Sequence, residues 1–354
     1  TYTDSIALVA GVSVYGGFQG TETLLTQRDP SQYETRIDGA GTTHVVLCAD
    51  DALLDGFTIT GGNADGTGDG AYGGGIFCDG TSPTISDCLI AGNHAGLRGG
   101  AVYARDSSIR LLDNHFVRNS VPTSGTIQYG GAVHLSGYGN PELTGNLFAD
   151  NEGYWGTTLT ALGSTSLNVS FDKNVVAGNV GISQVRTEDV TGIWTNNVFV
   201  GNINVPIYTG GDTVLYFGST NMVSLVNNTI TGADSYGVSA YGSPYYANNI
   251  FAGFLRAVRE YSVGDTSDVI LEHNLFFDND VDVRDENSVS VSGANAINLT
   301  VGGASGNVDG DPYFEQGFRY PWTADAVYDP VSFTTLLIDS YGVGGGSNSP
   351  VSYT

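Results

Sequence analysis

Short apolar runs recur along the whole chain, each bounded by Gly, Asn, Asp or Ser. Within them apolar and polar positions alternate, the period of a strand and not of a helix. Two half-units repeat. One is a Gly pair followed by a short apolar strand, as in Gly74-Gly75-Ile76-Phe77, Gly99-Gly100-Ala101-Val102 and Gly130-Gly131-Ala132-Val133. The other is Asn, two or three apolar residues, and Asn again five positions later, as in Asn114 to Asn119, Asn146 to Asn151, Asn174 to Asn179, Asn197 to Asn202 and Asn274 to Asn279. Asn228 and Asn249 open shorter copies, and Gly56 and Cys88 stand where an earlier copy would open.

Counted from positions 56, 88, 114, 146, 174, 197, 228, 249 and 274, the copies lie 32, 26, 32, 28, 23, 31, 21 and 25 residues apart. Such variation excludes a repeat of fixed length and predicts a coil whose strands are constant and whose loops vary. A short strand cannot bury its inward residues alone, but stacked on the next coil at about 4.8 Å it can. Asn at the same corner of successive coils tolerates left-handed backbone and can ladder amide to amide. The pattern therefore predicts an all-β parallel solenoid of about nine to eleven coils over 1–315, followed by a cap or non-repeat tail over 316–354. No segment carries sustained helical periodicity with caps.

The register follows from the Gly-pair strands. Ile76 and Cys78, Val102 and Ala104, and Val133 and Leu135 point inward, and Phe77, Tyr103 and His134 point outward. Cys48 and Cys78 then share one inward column in adjacent coils, as a disulfide or as two core thiols. Cys88 takes an Asn corner as a buried thiol.

Composition narrows the partners. The net charge is −25, with 37 Asp and Glu against 12 Lys and Arg, and Lys173 is the one lysine. Such a field repels nucleic acid, anionic membranes and polyanionic sugars unless Ca²⁺ bridges the last. Gly, at 51 residues, is about twice the usual share. With so little Lys, that suggests an extracellular all-β protein. Three cysteines do not make a disulfide framework. No run approaches the length of a membrane span. The first residues already read as a strand, so the ends are expected to be processed or to belong to a longer chain.

The Phe-x-x-Asn copies at Phe116, Phe148, Phe199 and Phe276, together with Gly-Gly-Ala-Val, resemble the repeats of chlamydial polymorphic outer-membrane proteins and related right-handed β-helix surface proteins. Val14 to Thr23 with Gln27-Arg28-Asp29, and Gly306 to Phe314, are similar to the first and last coils of such secreted proteins. The resemblance covers about residues 5–315 and implies a single-stranded right-handed parallel β-helix at the cell surface or outside the cell. It implies no single activity, because this fold carries enzymes, adhesins and stalks alike.

Candidate chemistry is sparse. Asp79, Arg105 and His134, with Tyr103 and Asp106, fall on the outward face of adjacent coils, where His and Arg beside carboxylates suit acid–base work. Lys173 follows Asp172 at a corner. The Gly-rich insertion at 62–70 places Asp65 and Asp69 on a flexible loop, as Ca²⁺ prefers, and Asp309 and Asp311 are a second such pair. No other cofactor is implied. Tyr129, Tyr138, Tyr154 and Trp155, and further on Tyr236, Tyr241, Tyr245 and Tyr246, are aromatics that can stack on sugar rings or on a partner.

Two functions compete on these observations. One is a non-catalytic surface protein: an adhesin, a stalk or a filament subunit associating through its solenoid ends, with a glycan or other surface partner. The other is a polysaccharide lyase or glycoside hydrolase working on the outer face.

Overall fold

The computed structural model describes residues 1–123, 128–204, 213–218, 222–232, 235–241, 244–261, 269–285 and 287–312, and the backbone strands Asp339–Tyr341 and Pro350–Ser352. The predicted tail over 316–354 lies outside the described residues apart from those two strands, which pair antiparallel.

Each coil has three short strands. In one coil these are Val102–Arg105, Arg110–Leu112 and His115–Val117. Each pairs in parallel with its counterpart one coil on: Val102 with Val133, Leu111 with Leu143, and Phe116 with Phe148. The first and second strands merge into a 21-stranded sheet, and the third strands form an 11-stranded sheet. The chain is a parallel β-helix, as the repeat predicts. A run of rings in its core crosses from the third strands, at Phe116 and Phe148, to the second strands, at Phe171 and Trp194, with centroids 4.7, 6.0 and 5.1 Å apart.

The corners are built by two amide ladders. Asn114, Asn146, Asn174, Asn197, Asn228, Asn249, Asn274 and Asn307 are buried, each Oδ1 accepting from the main-chain N–H of the residue one coil back. A second ladder runs through Asn93, Asn119, Asn151, Asn179 and Asn202 at the far end of the third strand. The left-handed residue is not the ladder Asn, as expected, but the one before it: Asp87, Asp113, Lys173, Asn196, Asn227 and His273 have φ between 49° and 59°. That residue swings the chain round the corner, so the next side chain aims its amide into the stack. The same feature corrects the register by one residue in an early coil. Ile59 pairs with Ile90, so Phe57, not Gly56, lies under Cys88, and Gly56 is the left-handed residue, at φ 76°.

Cys88 replaces an amide. Its N–H donates to Asn114 and its sulfur accepts the Phe57 N–H at 3.5 Å. Burial pushes the thiol up to about 12, which leaves it unreactive at neutral pH. Cys48 and Cys78 form a disulfide with Cα atoms 4.9 Å apart. The Gly pair meets a steric need, since a Cβ on Gly100 would lie 2.3 Å from the carbonyl oxygen of Gly131 in the next coil.

A seven-residue helix, Ala294–Thr300, departs from the all-strand expectation. It buries Ile297 in the core, and Asn298 bonds the amide of Asn307, so it closes the first ladder at that end.

Candidate functional site

The outer face of the first strands carries the charged and aromatic residues singled out above, and the structure separates them. Asp79 and Arg105 lie opposite one another on adjacent strands and form a bidentate pair at 2.7 and 2.6 Å. Asp69 adds its carboxylate at 3.6 Å from the same guanidinium. The pairing holds Asp79 below its ordinary value and Arg105 above its own, so Arg105 is a fixed cation and not a base.

His134 does not join them. Its ring stacks on Tyr103 at 5.4 Å and 1°, beside Tyr129. It is fully buried, with neither ring nitrogen hydrogen-bonded. Burial, with a smaller effect of the Arg98 charge, pushes its pKa well down. The outward register is as expected, but neighbouring rings cover the position.

This burial makes stability depend on pH. The folded state keeps His134 neutral while the unfolded chain takes up a proton below pH 6.5. Stability is therefore lost as pH falls through that value towards the folded pKa. His134→Phe keeps the stack and removes both unpaired nitrogens. Its advantage over the parent in thermal denaturation is expected to grow between pH 8 and pH 5, by up to about 2 kcal/mol. An advantage that does not change with pH would place the titration elsewhere.

The four acidic residues read as Ca²⁺ ligands do not converge. Asp69 faces Arg105, and Asp65 lies 3.8 Å from His94. Both oxygens of Asp309 accept the Ala294 N–H at the start of the helix, and Asp311 is exposed. Among the described residues no group of three or more His, Cys, Asp or Glu is placed to hold a metal. Lys173 is a corner residue, paired with Asp172 at 3.2 Å.

The aromatics form a strip. Tyr72, Arg98, Tyr129 and Trp155 occupy one position on four consecutive coils, bridged backbone to backbone, each directly before a Gly. Beside this row runs the outward column of the first strands: Phe77, Tyr103, His134, Thr160, Arg186, Tyr216, Ser239, Arg259 and Arg284. Guanidinium groups and rings alternate across the two rows. Arg98 lies 5.4 Å from the Tyr72 ring centroid and 5.8 Å from that of Tyr129. Arg186 reaches Trp155 at 4.6 Å and Tyr216 at 5.1 Å. Tyr216, Tyr241 and Tyr261 continue the line, with centroids 6.4 and 5.0 Å apart. Arg256 and Arg259 lie over Tyr236. Of these residues Tyr103, His134, Thr160, Tyr236 and Ser239 are buried and the others half-buried. Tyr246, grouped with them by sequence, is a core residue and fully buried.

A second feature involves none of the residues singled out from the sequence as candidates. Between the loop at 25–35 and the second-to-third corner lies a cleft of about 740 Å³, lined by Arg28, Glu34, Asp87, Asp113 and His115. Arg28 pins the loop by pairing with Asp55. Burial, then the charges of Asp55 and Asp113, raise the pKa of Asp87, while burial lowers that of His115. A repeated signal for this site was present in the sequence: an Asp directly before the corner residue in two successive coils.

No curated protein matches the chain by sequence. Among solved structures, the crystal structure of a double mutant of the periplasmic alginate epimerase is similar at 12% identity, covering 75% of this chain and 70% of that one, with a TM-score of 0.27. Residues 74–253, half of the chain, match the family model described as right handed beta helix region, and the chain belongs to the right-handed β-helix family.

Proposed function

We propose that the protein is a non-catalytic adhesive β-helix of the cell exterior that holds a glycan chain along the aromatic and arginine strip. The observation that carries this reading is the recurrence of half-exposed flat rings on coil after coil of one face. Ring faces bury the C–H faces of sugars, and guanidinium groups fixed on rings offer hydrogen bonds to hydroxyls. Coils rise by about 4.8 Å, close to the length of one sugar residue in an extended chain, so successive sugars meet successive rings. The Cys48–Cys78 disulfide supports an oxidising compartment. The helix Ala294–Thr300 stands between the last ladder amide and any copy stacked on that end, which favours adhesion over end-to-end growth.

The test is binding to a panel of extended polysaccharides by calorimetry. Trp155→Ala, with an unchanged melting curve as the control of folding, is expected to weaken the best ligand about tenfold, the loss of one stacking contact. Absence of binding across the panel would remove the reading. Release of sugar ends that disappears in Asp87→Asn would replace adhesion by hydrolysis in the cleft, with Asp87 as the acid.

A further inference from the structure

We infer that the cleft beside the loop at 25–35 is a second binding site. It takes a lysine from an extended, cationic segment of a partner protein, with the ammonium between Asp87 and Asp113 and the aliphatic stem on an apolar floor. This site is separate from the glycan strip and does not rest on that reading, because the strip lies on the first strands and the cleft opens on the third.

Two carboxylates define it. Asp87 and Asp113 stand directly before Cys88 and Asn114, neighbours in the first ladder, and both take the left-handed corner conformation, at φ 49° and 54°. Leu89 and His115, two residues on, are register partners, so the two corners lie on adjacent coils about 4.8 Å apart. Among the described residues neither carboxylate accepts a hydrogen bond or forms an ion pair. Asp79 and Glu142, by contrast, each hold an arginine. The guanidinium in the cleft, Arg28, is already held by Asp55 and lies over the Tyr15 ring. Burial raises the pKa of Asp87, the charges of Asp55 and Asp113 add to this, and Arg28 offsets only part of it. A cation bound at the pair relieves that repulsion. Two carboxylates are too few to replace the oxygen shell that Ca²⁺ needs, so the pair suits an organic cation.

The floor supplies the rest of the chemistry. Phe57 and Leu89 form it, and Leu25 and Pro30 line the loop side. A lysine matches both halves, with a stem that covers apolar surface and a compact ammonium at its end. The column of Leu89 and His115 continues past the cleft through Leu147 and Val175. Val117 and Ala149 lie beside it in the same apolar cluster, outside the core that Phe116 and Phe148 fill. A chain anchored in the cleft runs onto this face, which a free amine would leave unused. At net charge −25 the protein also draws cationic partners from a distance.

The probe is the peptide acetyl-Gly-Leu-Lys-Leu-Gly-amide, with its norleucine analogue, which keeps the stem and lacks the ammonium. Binding to the whole protein is measured by calorimetry with EDTA present, at low and high salt. The lysine peptide is expected to bind about tenfold more tightly than the analogue at low salt, with the ratio falling at high salt. Asp87→Asn and Asp113→Asn are each expected to weaken it about fivefold. Both should fold, because Asn196, Asn227 and Asn248 hold the same left-handed corner, and unchanged melting curves check this. Asp280→Asn removes an exposed carboxylate elsewhere and should leave the affinity as it is. Equal binding of the two peptides overturns the role of the ammonium. Absence of binding, or an equal loss in Asp280→Asn, overturns the site. Binding of n-hexylammonium as tight as that of the peptide would give the cleft to a small amine, and displacement of the peptide by a neutral oligosaccharide would give it to a glycan; either overturns the partner.

Discussion

Replacing Asn146 by Ala is expected to destabilise the protein by about 4 kcal/mol, a large part of what a typical domain has. Asn146 is buried in the middle of the first ladder. Its Oδ1 accepts the main-chain N–H of Asn114 at 2.9 Å and the side-chain amide of Asn114 at 3.2 Å. Its own amide donates to the Leu111 carbonyl at 2.8 Å and to Asn174 at 3.0 Å. Alanine takes the acceptor from the main-chain N–H of Asn114 and from its side-chain amide, both in the core, and each orphaned buried group costs about 1–3 kcal/mol. Asn146→Asp restores the acceptors but removes the donors and buries a charge, so it is expected to fare no better. The measurement is urea denaturation against Asn140→Ala, which alters an exposed side chain. Pairing Asn146→Ala with Asn174→Ala should cost less than the sum of the two, because both break one continuous network. A loss for Asn146→Ala no larger than that for Asn140→Ala would mean that the corners are held by strand pairing alone.

The ladder was also the most legible feature of the sequence. From Cys88 to Asn274 the repeat spacings equal the separations spanned by the ladder hydrogen bonds. A side chain that must meet its own kind in every coil cannot drift, whereas loop lengths can. Gly56 misled by one position because it does the corner's backbone work, normally done by the Asp or Asn before the ladder residue. Nothing in the pattern revealed the helix at Ala294–Thr300, which is shorter than the window in which a helical period can be recognised.

The candidate sites were less legible for a definite reason. Alternation along a strand says which way a side chain leaves the sheet, and Phe77, Tyr103 and His134 do form one stacked column. Alternation does not say what a loop lays over that column. Tyr72 and Tyr129 come from the turns before the Gly pairs and close over it, which turns an outward histidine into a buried one. The contact between Trp155 and Arg186 joins a loop of one coil to a strand of the next and depends on the length of the intervening chain. Asp79 and Arg105 were found because a strand register of one residue per coil was enough to bring them together.

The second large effect is expected at the Cys48–Cys78 disulfide. Removing both cysteines as Cys48→Ala with Cys78→Ala should lower stability by about 3–4 kcal/mol, the entropy of closing a loop of this length in the unfolded chain. The bridge spans 30 residues and ties neighbouring coils to one another near the start of the solenoid. Cys78 is fully buried there, packed in the same core as Ile76 and Leu54. Changing both residues together leaves Cys88 without a partner for mispairing, and its raised pKa and burial keep it inert in the folded state. Two independent measurements check this. Alkylation of the denatured parent without reductant should modify Cys88 alone, and urea denaturation in reductant should bring the parent to the stability of the double variant. Alkylation of all three cysteines would remove the bridge. A double variant as stable as the parent would mean that stacking alone holds these coils, and that the bridge adds nothing to the thermodynamics of the fold.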